Sequence, residues 1–236
     1  MLIGAHRGAY KDEPALDENS LSAFKRAIDF KCDYIEFDVH MTRDKKFIIH
    51  HDASLMYNSS KVMLKEISWV DALEHFRLPL TNEPLPLLDD VLALCKGKIK
   101  MNVEIKDPSI GKDVTEFILS AGVDPKDFLI SSFHTSVLQD ITDHFRGIQT
   151  GFLFLGNFWS SKPAKQALNL SCKAIHPYYR FLNKRLVKFA LSNNLEINTW
   201  TVDGKAIPKL MKKDFLTSII TNDVLLALST RTEVSS

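Results

Sequence analysis

Two acidic residues, Glu36 and Asp38, stand two positions apart in the segment Tyr34–His40. Apolar residues alternate with them, which predicts a strand with both carboxylates on one face. Burying two unpaired carboxylates on an apolar strand costs free energy that a bound cation relieves. Because all the ligand atoms would be oxygens, Mg²⁺ or Ca²⁺ is favoured over Zn²⁺. A solvated acidic face on an edge strand is the alternative interpretation.

A second strand-like segment, Asn102–Lys106, has the same design. Asn102, Glu104 and Lys106 share one predicted face, and apolar residues occupy the other. Glu104 can therefore complete a three-carboxylate oxygen site, with Lys106 beside it as a point charge for a phosphate group. An ordinary ion pair between Glu104 and Lys106 at a strand end is the alternative.

Two histidines lie at the ends of other predicted strands. His6 and Arg7 directly follow the strand-like segment Leu2–Ala5, and His51 and Asp52 follow the segment Phe47–His50. Imidazole exchanges protons near neutral pH, and the guanidinium fork of arginine matches phosphate oxygens. Two histidines on different loops suit paired acid–base chemistry across a metal-bound phosphate, and Asp52 can orient His51. Structural histidines in surface turns are the alternative.

The fold class follows from the alternation of elements. Nine strand-like segments alternate with eight amphipathic helical segments over 236 residues, which fits an α/β fold of the (β/α)₈ TIM barrel type. No GxGxxG motif follows the first strand, which disfavours a dinucleotide-binding fold. We predict one barrel domain over residues 1–236. Within it, Gly204–Lys212 is predicted as a helix and Thr230–Ser236 as a frayed tail.

The segment Asp52–Pro86 interrupts this alternation. Long connections in compact domains are usually functional or carry structure of their own. We therefore predict a small insertion, residues 52–86, over the barrel mouth. Its apolar residues Trp69, Phe76 and Leu78 fit either a small core of the insertion or a contact for a lipid tail, and the core is favoured.

Composition excludes several classes. A net charge of +1, with scattered lysines and arginines, provides no basic field for nucleic acid. Cys32, Cys95 and Cys172 lack CxxC spacing, which favours reduced thiols over a zinc or disulfide framework. No apolar run approaches about 18 residues, so no membrane span is predicted. The amino terminus lacks a signal-peptide pattern, so we expect a cytoplasmic protein. No feature predicts the oligomeric state.

Together, these motifs resemble the glycerophosphodiester phosphodiesterase family, which has the barrel fold. They follow one another in family order over most of the chain, and their combination is far more specific than any one of them. The segments that carry the resemblance are His6-Arg7-Gly8, Glu18-Asn19-Ser20, Glu36-Phe37-Asp38-Val39-His40 with Thr42, His51-Asp52, Pro86-Leu87-Leu88-Asp89-Asp90-Val91-Leu92, Asn102-Val103-Glu104-Ile105-Lys106, Ser132-Phe133 and Asn198-Thr199-Trp200-Thr201-Val202.

The resemblance implies metal-dependent hydrolysis of small glycerophosphodiesters to glycerol 3-phosphate and an alcohol, with Mg²⁺ or Ca²⁺ as the cofactor. Either the neighbouring glycerol hydroxyl attacks first and water opens a cyclic phosphate, or water attacks directly. The implied roles are general acid and base for His6 and His51, metal ligands for Glu36, Asp38 and Glu104, phosphate contacts for Arg7 and Lys106, a glycerol-side aromatic for Trp200 and an acidic mouth residue for Glu18.

The chain departs from the family pattern at several positions. Asp17 stands where a proline is common before the Glu-Asn pair, and Asn222 and Val224 alter a common Thr-Asp-x-Pro ending. Neither departure replaces a residue of the implied catalytic set.

Three other functions are alternatives to this one. The nearest is a lysophospholipase D or phosphoinositide-cleaving enzyme of the same superfamily. A barrel that binds a phosphorylated ligand without turnover is less favoured, because the whole catalytic set is present. A two-histidine, one-carboxylate iron oxygenase lacks the necessary ligand spacing.

Overall fold

Eight parallel strands close into a barrel in the computed structural model, which describes residues 1–12, 14–155 and 160–235. The first strand pairs with both the second and the last, so the sheet has no open edge between them. This confirms the predicted (β/α)₈ barrel. The barrel strands are Leu2–His6, Tyr34–Met41, Lys100–Ile105, Phe128–Ser132, Gln149–Phe154, Ala174–Pro177, Glu196–Thr199 and Ser218–Thr221.

Helices surround the strands. The α-helices are Leu21–Asp29, Trp69–His75, Leu88–Cys95, Gly111–Ser120, Thr135–His144, Lys162–Asn169, Lys184–Ser192, Ile207–Leu210 and Val224–Ser235, and the 3₁₀ helices are Leu64–Glu66, Tyr179–Phe181 and Gly204–Ala206. Among the described residues, no helix is both long enough and apolar enough to cross a bilayer.

Two predictions about these helices were wrong. The frayed tail predicted from Thr230 is part of the last helix, which continues to Ser235, and the Thr230 side chain is buried and donates to the Leu226 carbonyl at 2.8 Å. The helix predicted over Gly204–Lys212 divides into a 3₁₀ turn and a single α-turn. The local sequence pattern predicted too short a last helix and too long a helix after Gly204. Packing and the position of proline decide where a helix begins and ends, and the local pattern does not report them.

The alternation of side chains along the strands builds the core. Ile35, Phe37 and Val39 are fully buried and pack outward against the helix layer, in the cluster that also holds Leu88 and Val91. A second cluster fills the same layer on the other half of the barrel. Because the apolar faces point outward to the helices, the intervening polar residues point to the barrel interior.

The insertion has its own secondary structure. The short strand Phe47–Ile49 runs antiparallel to the second barrel strand, and a hairpin of Ser54–Tyr57 with Ser60–Met63 follows it. A small separate core forms beneath, in which Leu55, Leu64 and Leu78 are buried, with Trp69 and Phe76 packed against it. The apolar side chains of the insertion therefore form its own small core, which was the favoured interpretation of the sequence.

Asp17 fastens the insertion to the barrel. Its buried carboxylate accepts hydrogen bonds from the backbone N–H groups of Leu80 at 3.0 Å and Thr81 at 2.7 Å, and from the Thr81 hydroxyl at 2.9 Å. The Glu83 carboxylate also accepts from the Ser22 hydroxyl. The departure from proline at position 17 thus provides an acceptor that holds the insertion beside the loop of Glu18.

Candidate active site

Three buried carboxylates meet at the carboxyl ends of two neighbouring strands. Glu36 and Asp38 lie on the second barrel strand, and Glu104 lies on the third, directly opposite Asp38 in the parallel register. The side chains offer oxygens that all lie within 4.8 Å of one another. Glu36, Asp38 and Glu104 are only 3%, 1% and 8% exposed. Three hard oxygen donors at this spacing fit a divalent cation of the Mg²⁺ or Ca²⁺ type.

The electrostatics of two of these groups favour such a cation. Glu36 accepts a hydrogen bond from the Arg7 backbone N–H at 3.0 Å through Oε2, but its buried Oε1 has no hydrogen-bond partner in the described part of the chain. Burial, with repulsion from Asp38 and Glu104, raises the pKa of Glu36 well above its usual value. Burial and Asp38 also raise the pKa of Glu104 to about 7. A cation between these oxygens would favour their ionised forms.

Asp38 is the carboxylate whose negative charge is neutralised by side chains of the protein. Arg7 Nε lies 3.3 Å from Asp38 Oδ2, and Lys106 Nζ lies 3.1 Å from Oδ1. Asn19 donates to Oδ2 at 2.8 Å. Burial alone would raise the pKa of Asp38, but Lys106 and Arg7 outweigh it and hold that pKa below its usual value. Lys106 also donates to Glu104 Oε1 at 2.6 Å, so it bridges two strands of the cluster.

A strained turn aims Arg7 into the site. Arg7 has a φ of 55°, and Gly8 follows with a φ of 84°. A Cβ on Gly8 would lie 2.8 Å from Ala23, so only glycine fits this close approach to the first helix. The turn directs the guanidinium to Glu18, whose oxygens accept from Nη1 at 2.8 and 2.9 Å. Glu18, the predicted acidic mouth residue, is thus paired with Arg7.

His6 is held from the side of the last strand. Its Nδ1 lies 2.7 Å from Asn222 Oδ1, and its Nε2 lies 3.9 Å from Glu36 Oε2. Burial, assisted by the positive charge of Arg7, lowers the pKa of His6 to about 4. The ring is therefore neutral at neutral pH and can accept a proton.

His51 faces the same cavity from the strand end that precedes the insertion. Its Nδ1 lies 2.7 Å from Asp52 Oδ1, the orienting contact that the sequence suggested. The His40 ring contacts the His51 carbonyl oxygen at 3.2 Å through Nε2, which holds the backbone at this position. The two histidines, Arg7, Lys106 and Trp200 all line one cavity of about 150 Å³ at the carboxyl edge.

An aromatic wall closes one side of this cavity. Trp200 packs edge-on against Phe133, with ring centroids 5.6 Å apart, and its indole N–H donates to the His176 carbonyl at 2.7 Å. Phe133 is 40% exposed although it is a large apolar residue.

Sequence reasoning assigned no role to Phe133 or Asn222. Their positions directly after barrel strands were the available signal, since strand ends line the mouth.

The fold and site together define a class: a (β/α)₈ barrel whose mouth combines a buried cluster of three carboxylates with two cationic side chains and two histidines. Such a set of groups suits the handling of a phosphate ester.

Comparison with known proteins identifies the family. Residues 6–226 match the glycerophosphoryl diester phosphodiesterase family. The chain is 30% identical to a glycerophosphodiester phosphodiesterase of Caldanaerobacter subterraneus subsp. tengcongensis, with 94% of both chains covered. The chain therefore belongs to this family, which confirms the resemblance and the enzyme class inferred from the motifs.

Solved structures share the fold. A glycerophosphodiester phosphodiesterase from Thermotoga maritima is similar with a TM-score of 0.79 at 23% identity, over 98% of each chain. An Oleispira antarctica phosphodiesterase, solved in complex with the product sn-glycerol-3-phosphate, is similar with a TM-score of 0.86 at 17% identity, over 100% of this chain and 97% of that one.

Because Asp38 and Glu36 lie in different charge environments, substitutions of these two residues should affect stability differently when metal is removed. In chelator, Asp38→Asn should lower the free energy of unfolding by about 3 kcal/mol, because it leaves Arg7 and Lys106 without their shared anion. Glu36→Gln should leave that free energy unchanged or higher, since it removes one of the clustered negative charges and keeps an oxygen for the Arg7 N–H. Urea denaturation of both variants measures the difference, and equal losses would contradict this charge assignment.

Proposed function

We propose that this chain hydrolyses glycerophosphodiesters to glycerol 3-phosphate and an alcohol, with Mg²⁺ or Ca²⁺ held by Glu36, Asp38 and Glu104. The observation that carries the proposal is the convergence of this cluster with Arg7, Lys106 and two histidines in one small cavity. The product bound to the Oleispira antarctica protein, which shares the fold, supports glycerol 3-phosphate as the released half.

Charge neutralisation at the phosphate comes from two sources. A divalent cation held by Glu36, Asp38 and Glu104 would supply positive charge at the phosphate and reduce the cost of the negative charge that develops there. Arg7 and Lys106 are already fixed at the cavity by Asp38, Glu18 and Glu104. Such fixed cations stabilise a developing charge without reorganising, which is the main way a preorganised site lowers a barrier. In this proposal Glu18 acts on the substrate through Arg7.

Proton transfer is assigned to His6 and His51. One imidazole accepts a proton from the attacking oxygen, and the other donates a proton to the leaving alkoxide, which otherwise leaves slowly. The neutral ring of His6 and the Asp52 contact of His51 suit this division of work. The attacking oxygen is either the neighbouring glycerol hydroxyl or a water molecule, and the same two rings serve both routes.

Trp200 and Phe133 provide an apolar surface for the glycerol carbons. Both rings line the cavity, where they stand edge-to-face. Packing there would exclude water from the phosphate and strengthen its charge interactions.

The metal assignment predicts a chelator-sensitive enzyme. With glycerophosphocholine as substrate and coupled detection of glycerol 3-phosphate, exhaustive chelation should abolish turnover, and Mg²⁺ or Ca²⁺ should restore it. Glu104→Gln should remain inactive after metal is added, because it loses a proposed ligand. Full activity in chelator would refute the metal assignment. Turnover of lysophosphatidylcholine in preference to glycerophosphocholine would favour a lysophospholipase D instead.

The acid–base assignment predicts that His6→Ala and His51→Ala each lower kcat by about 10²–10⁴-fold, the usual effect of losing a general acid or base. Calorimetric binding of Mg²⁺ or Ca²⁺ should persist, because neither ring is a proposed ligand. His144→Ala is the matched control, since that exposed ring ends a distant helix and contacts Asp140. Near-normal turnover in either cavity variant would remove that histidine from the mechanism.

The aromatic wall predicts substrate-dependent kinetics. Trp200→Ala should raise KM for glycerophosphocholine roughly 10-fold and spare bis(4-nitrophenyl) phosphate, which has no glycerol to pack on the ring. Trp200→Phe should retain most of the binding, because it keeps an apolar ring and loses only the donor to His176. If Trp200 merely fills the barrel top, its truncation should cost about 3–5 kcal/mol of stability and impair both substrates alike. Melting temperatures measured with the kinetics separate these results.

A further inference from the structure

A chain of hydrogen bonds reaches His6 from the ends of two neighbouring strands. The strands Glu196–Thr199 and Ser218–Thr221 pair with each other, and the latter pairs with the first strand. Asn222 follows the last strand and Asp203 follows the one before it. Asn222 Oδ1 lies 2.7 Å from His6 Nδ1, and Asn222 Nδ2 lies 2.7 Å from Asp203 Oδ2.

The orientation of the Asn222 amide follows from its partner. The Asp203 carboxylate accepts from the Asn222 backbone N–H at 2.9 Å and from the Thr221 hydroxyl at 3.2 Å, and Lys11 Nζ lies 3.9 Å from it. A carboxylate with this set of donors acts as an acceptor, so the NH₂ end of the Asn222 amide must face it. The carbonyl end of the amide therefore faces His6.

A carbonyl oxygen only accepts, so the nitrogen that contacts it must carry the proton. His6 is thereby held as the Nδ1–H tautomer, and its Nε2 keeps a lone pair. Nε2 is the ring nitrogen on the side of Glu36, within the cavity that holds Arg7 and Lys106. The ring thus presents an acceptor, and no donor, to the reacting groups.

We infer that Asn222, oriented by Asp203, is a positioning residue that selects this tautomer of His6, so that His6 begins the reaction as the proton acceptor. The second half of this inference rests on the proposed function. His51 is then the ring that donates to the leaving alkoxide. The first half concerns the resting protein alone and does not depend on any substrate.

The tautomer is measured directly by long-range ¹H–¹⁵N NMR of ¹⁵N-histidine-labelled protein in chelator at mildly alkaline pH, with His6→Gln used to assign the signal. We expect the wild-type His6 ring to be Nδ1–H. Asn222→Ala should release it to a mixture containing the Nε2–H form, and Asp203→Ala should do the same, because the Asn222 amide then loses the carboxylate that fixes its orientation. Asp223→Asn is the matched control. Asp223 lies next to Asn222 in the same loop, but its carboxylate contacts Gly204 and Lys11 and not His6.

Kinetics test the consequence. Asn222→Ala should lower kcat about 10–100-fold with little change in KM, and Asp203→Ala should lower kcat in the same direction, because it acts through the same amide. A wild-type Nε2–H ring would overturn the inference, even if Asn222→Ala fails to fold. A lowered kcat with an unchanged tautomer would also overturn it. A wild-type Nδ1–H ring in a protein inactive on every glycerophosphodiester would refute the proposed function and leave the positioning of His6 standing.

Discussion

The charge balance at the barrel mouth is the constraint on which the rest of the structure depends. Three carboxylates are buried there against two cationic side chains, and both cations contact Asp38. Lys106 also reaches Glu104, whereas Glu36 accepts from the Arg7 backbone N–H and keeps one oxygen without a hydrogen-bond partner among the described residues. Buried like charges destabilise one another strongly in a low dielectric. Burial and mutual repulsion raise the pKa values of Glu36 and Glu104, and the same repulsion would favour a hard cation between the three carboxylates.

The backbone of the first loop serves this balance. The left-handed conformation of Arg7, followed by Gly8 against Ala23, brings the guanidinium back over the second strand and presents the Arg7 N–H to Glu36. Such conformations persist only where surrounding contacts hold them. Glu18 supplies one such contact through the guanidinium. Beside it, Asp17 accepts hydrogen bonds from Leu80 and Thr81, so the loop that orients the Arg7 guanidinium and the insertion are held together.

Local pattern and tertiary packing decided different parts of the molecule. The period of two along a strand placed Glu36 and Asp38 on one face, and the same period applied to Glu104 and Lys106, because the alternation of side chains depends only on neighbouring residues. The ends of helices were less predictable: the last helix extends through Thr230 because its side chains pack against the barrel. The small core under the insertion could be favoured from composition, but whether its apolar residues faced inward was decided by packing.

The sequence by itself determined the barrel class, the composition of the acidic cluster and the family, since each depends on motif order and on residue spacing within single strands. The tertiary structure alone decided the pairings. It joined Glu18 to Arg7, and it placed Phe133 beside Trp200 and Asn222 against His6. His6 and Asn222 are 216 positions apart in the chain and meet only because the first and last strands pair to close the barrel. Contacts between distant positions arise from closure of the sheet, and no local periodicity carries that information.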